Sequence, residues 1–281
     1  MSRMKYLFQA LSVALTLCIS PAGQATETPM RVVSLGGSIT EIVYALDAQD
    51  LLVGVDQSSL YPPQAQTLPS VGYYRHLPSE GVVSLKPTLV LASANAGPPQ
   101  VIEQIKRLGI DVMPLSDEPT VNSLEARVRA IAKALDRQAQ GEALLSQFRT
   151  AWDLAHTKSV PALSATLLIM RGGRLLAAGG DTTAHVVLSE SGLENIFSEQ
   201  RSYQPISAEA LNAQAPEVII VTTSTVNAMG NLDAIKTHPA LRLTPAVRDN
   251  RIVVLDDLLA QGFGLRVTEA IHTIRQGAWG D

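Results

Sequence analysis

The seven residues VGYYRHL, Val71 to Leu77, place Tyr73, Tyr74, Arg75 and His76 side by side in a chain with only 4% aromatic residues. A phenol is a poor metal ligand while protonated, and free tyrosine titrates near ~10. A neighbouring cation or a bound metal favours the phenolate. That hard, anionic oxygen suits ferric iron, for which tyrosine is an established axial ligand. The stretch therefore offers two readings: one phenol coordinates iron beside a guanidinium partner, or a packed tyrosine is covered by an arginine. Spacing alone leaves both open. Pro69, Gly72 and Pro78 disfavour helix here, so an extended or looped course is expected. In an extended chain side chains alternate, which predicts Tyr73 and Arg75 on one side and Tyr74 and His76 on the other.

Other segments could carry chemistry. In RVVSLGGSITEIVYAL a strand meets a glycine pair and then a helix. The segment has neither GxxxxGK[ST] nor GxGxxG, and an acidic residue falls in the first turn, so a phosphate cradle is disfavoured. A capping box with Ser38 as N-cap and Glu41 reaching back is expected instead. His156, His238 and His272 are scattered, without the close spacing of a zinc cluster. Two glutamates stand out through an internal repeat. SEGVVSLKPTLVLAS, from Ser79, resembles SAEALNAQAPEVIIVTTS, from Ser207. Glu80 precedes Pro87, and Glu209 precedes Pro216, by the same interval. Tyr74 and Tyr203 stand at matching distances before the two glutamates. Each glutamate follows a serine into a short helix, where a carboxylate complements the helix dipole.

The elements that must position these residues are legible as short, β-branched apolar runs separated by helical patterns. Strands are expected at Arg31–Leu35, Leu52–Val55, Leu89–Ala92, Asp111–Leu115, Ala165–Met170, Leu175–Ala178, Val218–Val221 and Ile252–Leu255. Near-continuous hydrophobicity is the mark of parallel strands covered on both faces. The fold class is α/β, and the repeat implies two similar lobes with mainly parallel sheets. Between them, Leu124, Val128, Ile131 and Leu135 recur at helical spacing, as do Leu144, Leu145, Phe148 and Trp152. The expected division is an N-terminal lobe over 26–137, one long connecting helix over 138–158 and a C-terminal lobe over 159–281. The cleft between lobes is the default ligand site.

Bulk properties narrow the function. Arg3 and Lys5 precede an apolar run from Tyr6 to Ile19, followed by Pro21 and small residues. This is the pattern of a secretory signal, expected over 1–25 with cleavage after Ala25. The run is shorter than the ~20 residues of a membrane span. Removing it takes away Cys18, the only cysteine, and leaves 256 residues (281 − 25) with a formal charge of −6 (20 − 26). An acidic chain with no basic run argues against nucleic-acid partners.

The chain resembles the periplasmic haem-binding proteins of ABC-type haem importers. GYYR, PSEG and SLKP match that family's G-Y-x-R, its SAEG-type turn and its LKP; HPALRLTPAVRDNRIVVLDDLLAQGFGLR is similar to its C-terminal segment. The likeness runs from about Arg31 to the C-terminus. It implies capture of ferric haem b as a transported ligand, delivery to an ABC permease with its cytoplasmic ATPase, a monomeric state and no catalysis. By position it makes Tyr73 the proximal iron ligand and Arg75 its polar partner, with Tyr74 beside the porphyrin or packed into its own lobe and His76 a reserve ligand. Members with two stacked haems place a histidine where this chain has Arg171, in MRGGRLLAAGGDTTAH. That departure favours one haem and lets Arg171 reach a propionate or stay solvated; His185 is the next candidate ligand. The resemblance also makes Glu80 and Glu209 the residues that dock on permease arginines. Cobalamin or a ferric siderophore is the alternative cargo on the same fold. An exported hydrolase is disfavoured by the absence of a GxSxG elbow.

Overall fold

The computed structural model describes residues 29–280. The expected signal segment, its cleavage point after Ala25, and Cys18 lie outside the described residues.

The first lobe is built from strand–helix repeats. β1 (Val32–Leu35) leads into α1 (Gly37–Ala45) and β2 (Leu52–Val55); α2 (Ser79–Ser84), β3 (Leu89–Ser93), α3 (Pro99–Arg107) and β4 (Asp111–Leu115) follow. The strands lie in the order β2-β1-β3-β4, and every pairing is parallel. β1 is buried at all four positions, as a central strand covered on both faces must be. Two helices come next, α4 (Val121–Ala134) and α5 (Gln138–Ala155). Thr120 starts α4 by accepting the backbone N–H of Ser123 on its side chain. α5 has 18 residues, about 27 Å at the usual rise.

The second lobe opens with a hairpin, β5 (Leu163–Arg171) and β6 (Arg174–Ala178), then α6 (Thr183–Glu190), β7 (Leu193–Asn195) and β8 (Tyr203–Pro205). It continues with α7 (Ala208–Gln214), β9 (Val218–Thr222), α8 (Thr223–Met229), α9 (Leu232–Thr237), α10 (Pro245–Arg248), β10 (Ile252–Leu255), α11 (Asp257–Gln261) and α12 (Val267–Trp279). The sheet order is β10-β9-β5-β6-β8, with β7 on β5. The β5–β6 and β6–β8 pairings are antiparallel and the others parallel. All eight expected strands are present, within about two residues at their ends. β7 and β8 are additions: three residues each, LEN and YQP, without a β-branched run to announce them.

One apolar core joins the lobes. It includes Ile42 of α1 and Leu46 just after it, Ile131 of α4, Leu145 and Phe148 of α5, Leu167 of β5, and Ile271 and Ile274 of α12. The long helix is thus embedded in the core, not a bare strut, and opening the lobes would expose part of that core to water. Two polar contacts reinforce the joint. Arg127 of α4 donates from Nη2 to the carbonyl of Phe263 at 2.6 Å. Glu41 of α1 accepts the backbone N–H of Arg266 at 3.0 Å and pairs with its guanidinium at 3.5 Å.

The start of α1 corrects the capping-box expectation. The N-cap is Gly36, and neither Ser38 nor Glu41 caps the helix. Asp56 accepts the Gly36 N–H and Ser58 Oγ accepts the Gly37 N–H, both at 2.9 Å, so the first donors are satisfied from the loop after β2. Gly36 has φ 132°, a conformation favouring glycine, and a Cβ on Gly37 would sit 2.3 Å from the Ser58 carbonyl. Glu41, released from capping, is 4% exposed and faces Arg266.

Candidate ligand-binding cleft

In parallel sheets the loops at the carboxyl ends of the strands form the ligand crevice. Here those loops meet across the lobe boundary and enclose about 650 Å³. From the first lobe come Gly36–Ser38 after β1, Tyr73–Arg75 in the long β2–α2 loop, Asn95 after β3 and Asp117 after β4. From the second come Arg171 at the end of β5, Asp181–Thr183 at the start of α6, Tyr203 at the start of β8, and Asp257, Leu258 and Gln261–Phe263 around α11.

The structure brings Tyr73, Tyr74 and Arg75 into this cleft, but not in the alternating arrangement expected. Tyr74–His76 forms a short 3-10 turn, closed by the His76 N–H donating to the Tyr73 carbonyl at 2.9 Å. A turn lacks the two-residue alternation of a strand. Arg75 consequently folds back on its neighbour: Nε donates to the Tyr74 hydroxyl at 2.9 Å, and the guanidinium lies 5.2 Å from that ring's centre. The arginine's direct partner is Tyr74, not Tyr73. Burial pushes the Tyr74 phenol above its ordinary pKa, and Arg75 opposes that shift. Tyr73 is 39% exposed. Its ring is held edge-on to Tyr74 at 5.1 Å and parallel to His76 at 6.1 Å. His76 is exposed and not among the cleft-lining side chains.

The wall beneath is charged. Asp117 accepts from Ser93 Oγ and from Asn95 Nδ2, the latter at 2.9 Å, and stands 3.9 Å from Arg127. Arg127 is 3% exposed, and its Nη1 donates to the Ser116 carbonyl at 2.6 Å. Burial lowers its pKa, against the opposing field of Asp117. Sequence reasoning missed this arginine, although one signal existed. It falls between Leu124 and Val128 on the buried stripe of α4, where a charge is out of place unless it is paired.

On the facing wall Arg171 is exposed, with its guanidinium 5.7 Å from the centre of the Tyr203 ring. Burial pushes the Tyr203 phenol up to about 12, against the pull of Arg171. Tyr203 had been noted for its place in the repeat but not assigned to the site. His185, in the first turn of α6, lies outside the cleft lining and meets Asn195 at 3.4 Å. Among the described residues no three His, Cys, Asp or Glu side chains converge as a cage for a bare metal ion would require. The cleft instead offers single phenols, guanidinium groups and open aromatic surface.

The repeat also places the two glutamates alike. Glu80 and Glu209 are exposed in the first turns of α2 and α7. Ser207 caps α7 by accepting the Ala210 N–H, and bonds to its own backbone N–H and to Ser207 hold Glu209 below the usual carboxylate range. Ser79 differs: it is buried within α2, and Pro78 occupies the cap position.

Comparison with known proteins fixes the family. A profile described as "Periplasmic binding protein" matches residues 32–259. The chain belongs to the periplasmic binding protein family. These are solute-binding proteins, not enzymes. Among solved structures, the periplasmic haem-binding protein BhuT, in complex with two haems, is 35% identical with a TM-score of 0.82, over 88% of this chain and 97% of that one. The periplasmic haem-binding protein RhuT from Roseiflexus sp. RS-1, in apo form, is 34% identical with a TM-score of 0.81, over 89% of this chain and all of that one (100%). A vitamin B12-binding protein of Yersinia pseudotuberculosis is 29% identical over 77% of this chain and 78% of its own length. Its relatives are thus named for two different cargoes, haem and vitamin B12.

Proposed function

We propose that this periplasmic binding protein captures ferric haem and delivers it to an inner-membrane ABC importer made of a permease and a cytoplasmic ATPase. The observation that carries the reading is the Tyr73 phenol. It is exposed on the cleft wall, fixed in orientation by two ring contacts, and one residue from a couple in which Arg75 supplies positive charge. A single anionic oxygen suffices to anchor an iron whose four in-plane positions are already filled by a porphyrin. The porphyrin face supplies apolar contact against the aromatic wall, while coordination sets specificity. Tyr74 and Arg75 stand beside the metal-binding phenol, and Arg171 faces the ligand from the other lobe.

In this reading the chain is exported by a signal cut after Ala25, works as a monomer, and divides into lobes over 26–137 and 159–281 with the helical connection at 138–158. Glu80 and Glu209 contact basic residues of the permease. Their exposed, matched positions support that role, since opposite charges orient and speed encounter. Cobalamin is the second reading, favoured by the vitamin B12-binding relative.

Titration of the purified protein with hemin tests the assignment. The complex is expected to give a high-spin ferric–tyrosinate spectrum, which Tyr73→Phe abolishes while affinity falls at least about tenfold. An unchanged spectrum in that variant would refute the ligand assignment. Tighter binding of cyanocobalamin than of hemin in competition would replace haem with cobalamin as the cargo.

A further inference from the structure

The two lobes each bring a tyrosine and an arginine into the cleft, but they pair them differently. On the first wall the couple is closed: Arg75 Nε donates to the Tyr74 hydroxyl at 2.9 Å. On the second wall it is open. Arg171 lies over the Tyr203 ring at 5.7 Å, and among the described residues neither the Tyr203 hydroxyl nor the Arg171 guanidinium has a hydrogen-bonding partner. The backbone explains the difference. Arg75 follows Tyr74 directly in a 3-10 turn, so its side chain folds onto the phenol. Arg171 and Tyr203 come from separate strands, at the far end of β5 and the first position of β8. Both line the cleft.

We infer that Tyr203 and Arg171 together form a carboxylate receptor on the second wall, so that a bound ligand turns an acidic substituent toward the second lobe and its metal toward the first. A neutral phenol O–H and a guanidinium are both donors, and two donors converging on one anion are what a carboxylate requires. The high pKa of the Tyr203 phenol, about 12, keeps its proton in place for this donation. On the first wall one Arg75 donor is already taken by the Tyr74 hydroxyl, whereas the five guanidinium donors of Arg171 are all uncommitted among the described residues.

This inference rests on the haem reading, and the test separates the two. Hemin and hemin dimethyl ester, which carries the same metal and ring with capped carboxylates, are titrated in the same dispersant. The wild-type protein is expected to prefer hemin on the order of 10- to 100-fold, the worth of charge-assisted hydrogen bonds. Tyr203→Phe and Arg171→Ala are each expected to cut that preference, and the double variant to erase it, with hemin losing more affinity than the ester and the tyrosinate spectrum retained. Tyr203→Phe keeps the ring, so the fold is preserved. A preference that survives the double variant, or one that is absent from the wild type, overturns the carboxylate receptor. An unchanged hemin spectrum in Tyr73→Phe overturns the iron assignment instead, without touching the preference measurement.

Discussion

Replacing Arg266 by methionine tests how the lobes are held together. Glu41 is 4% exposed, and its two partners come from one residue: the Arg266 backbone N–H at 3.0 Å and the guanidinium Nε at 3.5 Å. Burial raises the Glu41 pKa above its ordinary value of 4.5, and Arg266 opposes the rise. A carboxyl whose folded-state pKa is raised binds its proton more tightly when folded. Its stabilising contribution is therefore complete at low pH and is lost as pH rises through the folded value. Arg266 limits that loss. Methionine keeps apolar volume but leaves the carboxylate with a single backbone donor. Breaking a buried pair costs about 3–5 kcal/mol. The surviving backbone bond and the carboxyl's capacity to take up a proton set the lower end, about 3 kcal/mol. For a chain of this size that lowers Tm by about 6–12 °C. Loss of the guanidinium stacked 3.4 Å from the centre of the exposed Tyr61 ring adds to it, by about 0.5–1 kcal/mol. Urea unfolding at several pH values is the assay. The deficit is expected to shrink as pH falls through the raised folded-state pKa of Glu41, because protonation removes the unpaired charge. Glu41→Gln combined with Arg266→Met is expected to recover at least half of it. A single-variant loss below about 1 kcal/mol, or a deficit that does not change with pH, refutes the reasoning.

Further outcomes follow from the same geometry. Asp56→Ala removes the acceptor for the Gly36 N–H (2.9 Å), the Ser58 N–H (3.0 Å) and the Ser59 hydroxyl (3.0 Å); a loss of about 2–4 kcal/mol is expected, with faster amide exchange at Gly36 by hydrogen-exchange mass spectrometry. Glu80→Ala with Glu209→Ala is expected to leave hemin binding unchanged while slowing hemin transfer into vesicles that carry the importer, increasingly so at low ionic strength. Normal transfer at every salt concentration would remove both glutamates from the docking surface.

The strands were legible because each is a short apolar run whose burial depends on its own residues. The helical stripe from Leu124 to Leu135 was legible for the same reason, since its period is written locally. β7 and β8 were not. LEN and YQP become strands only because β5 and β6 offer free edges beside them. Within the cleft, sequence and resemblance pointed to Tyr73, Tyr74, Arg75 and Arg171, all of which line it. Which arginine serves which phenol was not legible. The alternation argument paired Arg75 with Tyr73, and the 3-10 turn gave it to Tyr74.

The amino-acid sequence by itself determined the α/β class, the repeated halves and the aromatic–basic loop, because hydrophobic periodicity and turn residues act over a few positions. Tertiary structure alone decided the partners of the charged groups. Glu41 left the helix cap for an arginine 225 positions away, while Asp56 took over the cap from 20 positions away. Tyr203 met Arg171 from a separate strand. A buried charge or donor must find a partner wherever the chain happens to bring one, and sequence separation places no limit on that search.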